Sequence, residues 1–153
     1  MTAILNKIPV SAWVSGTAEK MEAAGVEDRR AWSSYWVETY KALGGTSLST
    51  ARKGCPKSAA YALCYLGWLK GSKRPGLSWS VNEVRDNLGK NAAYAALAFR
   101  LLRQGAQSDP VGQLWKSVQR EFKRETGESA ADTERGAVTL AIGLFLKGKL
   151  VEP

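Results

Sequence analysis

Residues 52–71 read RKGCPKSAAYALCYLGWLKG, and the fold turns on them. A Cys-Pro pair opens a run with almost no polar side chain, and Lys70-Gly71 closes it. Proline is favoured at the first position of a helix and glycine just past its end. The stretch therefore reads as a helix over 55–71 with apolar groups all round, the mark of a buried helix. Cys55 takes the N-cap place and Pro56 the first turn. Tyr61, Tyr65 and Trp68 fall at i, i+4, i+7 on one face, which suits a core better than a platform for stacking bases.

Outward from this segment, glycine and proline cut the chain into helix-length pieces, and strand signals are scarce. A first helix over 15–24 stops at Gly25. A second follows Asp28, a good N-cap, and runs to Gly44. Its Trp32, Tyr35, Trp36, Thr39 and Tyr40 form one aromatic stripe. After the buried helix, SKRPGLSWSV is a basic turn, with residues 78–81 the best candidate for extended chain. A fourth helix covers 90–103 and ends at Gly105. A fifth starts near Pro110 after Asp109 and ends at Gly127. A sixth, DTERGAVTLAIGLFLKG, ends at Gly148. The fold class is all-α: six helices in a single domain over residues 1–153.

The six helices read as two pseudo-repeated three-helix units, 12–71 and 90–150. Leu63, Leu69 and Lys70-Gly71 match Leu140, Leu146 and Lys147-Gly148. Trp32 matches Trp115, and Gly25 matches Gly105. Each half is a helix ending in glycine, a tryptophan-bearing amphipathic helix, and a near-apolar helix ending Lys-Gly. Trp32 and Trp115 are expected to be buried at equivalent places. On this register Cys55 corresponds to Asp132, a favoured N-cap type.

The pattern KGCPK…G…KG, followed by a small-residue helix and a Leu-Trp helix, resembles a family of uncharacterised small bacterial proteins. The likeness covers about residues 28–150 and is sharpest over 53–71. It implies a helical fold and nothing catalytic. This chain departs from the family in being more basic, and in carrying aromatic and aliphatic residues in the middle of the third helix.

A length of 153 residues with 44% hydrophobic and 24% charged residues is a globular balance. The chain contains no histidine, so Cys–His and Ser–His–Asp chemistry are excluded. Two cysteines nine residues apart make neither a C-x-x-C pair nor a disulfide framework, and on one helix they cannot bridge. Histidine-free and without a carboxylate cluster, the chain implies no metal and no cofactor. No P-loop or dinucleotide fingerprint occurs. Lys7 and Pro9 interrupt the mildly apolar start, so neither a signal peptide nor a membrane span is expected, and the default compartment is the cytoplasm.

The net charge of +8 is unevenly placed. Between Glu38 and Glu83 there is no acidic residue, while Lys41, Arg52, Lys53, Lys57, Lys70, Lys73 and Arg74 all lie there. Two functions fit: a non-enzymatic module contacting nucleic-acid phosphate, or a regulator or inhibitor binding an acidic protein partner. The candidate residues are Arg52, Lys53 and Lys57 beside a glycine- and hydroxyl-rich loop at the helix start. Lys70, Lys73 and Arg74 lie at its other end, roughly 22 Å away, with Trp79 available to stack.

Overall fold

A computed structural model describes residues 4–5, 8–25, 28–52 and 54–151. A two-residue ladder comes first, β1 (Ile4–Leu5) antiparallel to β2 (Ile8–Pro9). Eight helical segments follow among the described residues: α1 (Val10–Ala24), α2 (Arg29–Ala42), α3 (Leu48–Ala51), α4 (Gly54–Tyr65), α5 (Val81–Leu88), α6 (Lys90–Arg103), α7 (Val111–Thr126) and α8 (Ala137–Leu146). Among the described residues the fold is all-helical apart from that ladder and one isolated bridge further on. The six expected helices correspond to α1, α2, α4, α6, α7 and α8; α3 and α5 are additional.

Local chemistry accounts for the boundaries. Asp28 caps α2, its Oδ1 accepting from the Ala31 N–H at 2.7 Å. α5 fills the stretch between the basic turn and the fourth helix, to which the sequence reading assigned no helix. Ser80 Oγ accepts from the Glu83 N–H at 3.2 Å, and the Ser80 N–H donates to Glu83 Oε1 at 3.0 Å. That reciprocal capping box starts a helix at Val81, so residues 78–81 form no strand.

The decisive segment is helical but shorter than read. α4 begins at Gly54, which puts Cys55 inside the helix rather than at its N-cap. It ends at Tyr65, well before Gly71. Gly67 adopts φ +73°, and the chain closes with Gly67 N–H to Cys64 O at 3.0 Å and Trp68 N–H to Leu63 O at 3.1 Å. This is a Schellman arrangement. Leu77 N–H then returns to Leu66 O at 2.8 Å, folding the 68–77 segment back over the helix end. A Cβ on Gly67 would stand 2.5 Å from the Pro75 carbonyl oxygen, so the close return requires glycine there. α8 closes in the same way at Gly148, with Lys149 N–H to Leu144 O at 2.9 Å. It starts at Ala137 behind Gly136, so Asp132 is not its N-cap.

α6 lies at the centre and packs on α4, α5, α7 and α8. Residues 92–99, AAYAALAF, are buried without a break; their small side chains let neighbours approach from every side. α1 packs on α2 and α8. Trp13 stacks on Trp36 at 4.1 Å between centroids, donates its indole N–H to Trp36 O at 2.9 Å, and meets Tyr40 at 5.0 Å. On the other side Tyr94 meets Trp115 and Phe122 edge-on at 5.0 and 5.1 Å. Trp32 and Trp115 are both buried, as expected. Beyond α4 the chain forms an antiparallel bridge with the segment after α8, Leu69 opposite Leu150. Lys70 N–H donates to Lys149 O and Val151 N–H to Trp68 O, each at 2.8 Å.

Candidate functional site

The basic segment of the sequence is divided in space. Arg52 follows α3 and is exposed; Lys57 sits on the second turn of α4, half-buried. They converge with Lys41, Ser33 and Ser34 of α2 on a recess of about 570 Å³. The two helices are held there by Trp32, whose indole N–H donates to the Lys57 carbonyl at 3.0 Å. Glu38 also lines the recess and is drawn toward Lys20 of α1 at 3.7 Å. Arg52, Lys57 and Lys41 pair with no carboxylate among the described residues. Lys53 lies outside the described residues. The hydroxyl-rich loop before α4 turns inward in part: the Ser47 N–H donates to the Tyr40 hydroxyl at 3.1 Å.

The second group stands apart. α4 has 12 residues, so its ends are separated by roughly 18 Å, and the segment after it doubles back. Lys70 is exposed beside a small recess of about 180 Å³ that Glu19, Glu22 and Lys149 also line. The Lys73 N–H approaches Glu22 Oε1 at 3.4 Å. Arg74 is folded onto the protein: its Nε donates to Tyr65 O at 3.0 Å and its guanidinium lies 4.8 Å from the centre of the Tyr65 ring. Trp79 is half-buried, 5.7 Å from Tyr65 on a tilted approach. Tyr61 is buried and Tyr65 half-buried, so their face of α4 belongs to the core, and Trp68, beyond the end of the helix, is buried too. Burial pushes the Tyr61 hydroxyl up from the usual range, against the pull of Arg29, which lies 5.3 Å from its ring.

A cavity of about 820 Å³ lies along α7 and was not foreseen. Lys116, Arg120, Lys123 and Arg124 line it, with Gln113, Ser117 and Gln119, and Ser129 and Ala130 form its far wall. The motif KSVQREFKRE carried the signal at i, i+4, i+7, but Glu121 and Glu125 masked it in a tally of charge. In three dimensions both carboxylates are occupied elsewhere. Arg100 of α6 holds Glu125 with two guanidinium nitrogens and reaches Glu121 at 3.5 Å, while Arg124 also binds Glu121. The hydrogen-bonded Arg100 guanidinium holds the Glu125 carboxyl below its ordinary range. Among the described residues no cluster of His, Cys, Asp or Glu is placed to hold a metal, and no helix is long and apolar enough to cross a membrane.

Fold and surface together define an all-helical protein with several cation-lined recesses. The chain belongs to a family of unknown function, DUF6979, which matches residues 13–133. The match takes in α1 and stops before α8, whereas the sequence resemblance ran from about 28 to 150. No curated protein and no solved structure matches the chain.

Proposed function

We propose that this protein is a non-enzymatic basic module that binds nucleic-acid phosphate, built on a duplicated three-helix unit. In this reading α1, α2 and α4 correspond to α6, α7 and α8. Four pairs of features support the duplication. Trp32 donates to the Lys57 carbonyl near the start of α4, and Trp115 donates to the Asp132 carbonyl ahead of α8. Lys20 of α1 faces Glu38 of α2, and Arg100 of α6 faces Glu121 of α7. Gly67 and Gly148 close α4 and α8 alike. The two hydrogen bonds at the Leu69–Leu150 bridge exchange under one displacement, the 81 residues from Gly67 to Gly148, as a two-fold relation between the halves requires.

The observation that carries the binding reading is the recess shared by Arg52, Lys57 and Lys41 with two serines. Three cations that pair with no carboxylate among the described residues, gathered on one concavity, raise the local potential for an anion. Hydroxyls beside them add donors suited to phosphate oxygens. Lys70 and Lys73 extend the basic surface, and Trp79 beside Tyr65 is a partly open aromatic edge for a base.

Fluorescence anisotropy with labelled single- and double-stranded oligonucleotides, from low to physiological salt, tests this. Affinity should fall steeply with salt and little with sequence, because each neutralised phosphate releases counterions. Arg52→Glu with Lys57→Glu should weaken binding to all sequences alike and flatten the salt slope by about 2. No binding at micromolar protein in low salt would remove nucleic acid and leave an acidic protein partner as the reading.

A further inference from the structure

We infer that the groove along α7 is a separate contact surface for the phosphodiester backbone of duplex nucleic acid. The inference rests on the nucleic-acid reading above and assigns it a second face. Lys116, Arg120 and Lys123 are exposed at i, i+4, i+7, so their heads follow one line along the helix. None of them pairs with a carboxylate among the described residues. The two acidic residues of α7 are held by Arg100 and Arg124, and neither lines the groove. The face is therefore cationic without a compensating acid.

The lining also selects the form of the ligand. Apart from Ala130 every lining side chain is polar or cationic, and none is aromatic. Proteins that hold single strands combine positive charge with aromatic side chains on which bases stack. A groove that offers charge and amide or hydroxyl donors but no stacking surface fits a ligand whose bases are already stacked and hidden. Lys116 to Lys123 spans roughly 10 Å of helix axis. One strand of a duplex advances about 3.4 Å per phosphate, so the line of three cations spans about four consecutive phosphates.

The scaffold does not demand cations here. In the matching helix α2, the places of Lys116, Arg120 and Lys123 are taken by Ser33, Val37 and Tyr40. α2 nonetheless makes the same kind of packing through Trp32 and Glu38. The three basic side chains are thus an addition to the second half rather than a requirement of the shared fold.

The experiment compares the parent chain with the variant Lys116→Glu, Arg120→Glu, Lys123→Glu. A variant reversing Arg30, Arg103 and Lys147, exposed elsewhere, makes the same change in net charge. Anisotropy of a short labelled duplex is followed from low to physiological salt. The α7 variant should bind duplex about tenfold or more weakly and lose about 3 from the salt slope, while the control stays within a few-fold of the parent. If the α7 variant lowers the melting midpoint, the corresponding glutamine triple replaces it and should give the same loss. Parent-like affinity and slope in the α7 variant overturn the inference and leave the proposed function standing. Equal losses in the control variant overturn it too, since bulk charge then explains the effect. Competition by polyglutamate as effective as unlabelled duplex would assign the groove to an acidic peptide instead. A parent chain that binds neither duplex nor single strand brings down both readings together.

Discussion

Thr39 is buried between α1 and α2, and its hydroxyl has no hydrogen-bond partner among the described residues. A Cβ on Gly16 of α1 would come within 2.8 Å of its Cγ2, so the side chain stands in a tight helix–helix contact. A dry hydroxyl is a cost, since its water contacts are lost and nothing replaces them. Valine keeps the shape and removes the oxygen. Thr39→Val should raise stability by about 1 kcal/mol, read as a higher urea midpoint with an unchanged slope; a fall would mean the hydroxyl has a partner. The sequence placed Thr39 correctly on the buried stripe of its helix, because that stripe follows from spacing alone. It could not place Arg74. Nothing in SKRPG tells that the guanidinium folds back onto Tyr65, because the contact depends on a turn set seven residues earlier by Gly67. Individual long side chains are legible as charges and illegible as directions.

Among elements, the ones read correctly were those with strong periodicity and a clear end, such as α2 between Asp28 and Gly44 or α7 before Gly127. The misreadings came from punctuation. Two glycines close together, Gly67 and Gly71, both qualify as stops, and the apolar run between them favoured the later one. α5 carries its own start signal in Ser80 and Glu83, but the preceding Pro75-Gly76 drew the reading toward turn and strand. The earlier stop has a testable cost. Gly67 and Gly148 hold the same left-handed conformation, φ +73° and +65°. Only at Gly67 would an added methyl meet backbone; at Gly148 it would meet nothing within 4 Å. Gly148→Ala should therefore cost about 1 kcal/mol, the penalty of the backbone region alone. Gly67→Ala should cost about 2–4 kcal/mol, with the clash against Pro75 added. Equal losses in thermal melts would show that the return of the 68–77 segment is not what fixes this glycine.

At the scale of the whole molecule, the all-helical class was legible because apolar residues recur at helical spacing along most of the chain. The candidate site was legible only in part. Arg52 and Lys57 do meet, because the loop and α4 are neighbours in the chain. The α7 face was hidden, because whether Glu121 neutralises Lys116 or Arg120 depends on Arg100, which sits on the preceding helix and reaches Glu121 only through the packing of α6 on α7. Trp32 and Trp115 test the architecture directly. Each is buried; Trp32 donates to the Lys57 carbonyl in α4, and Trp115 to the Asp132 carbonyl ahead of α8. Alanine at either position should cost about 3–5 kcal/mol. Both variants should still unfold in a single denaturant transition, because α6 contacts α4 and α8 together. A variant that unfolds in two steps would mean that the halves fold independently.

The Leu69–Leu150 bridge has a consequence for how the protein opens. Its two hydrogen bonds protect amides far apart in the chain, Lys70 and Val151. Neither proton has a helix ladder to shelter it; each is shielded from solvent deuterons only while the strands stay together. Local openings expose all amides of a cooperative unit at once. The Lys70 and Val151 protons should therefore exchange with matched protection factors and respond alike to denaturant. Deletion of residues 149–153 should leave the Lys70 proton exchanging as freely as that of an unstructured peptide, while the buried amides of α6 keep their protection.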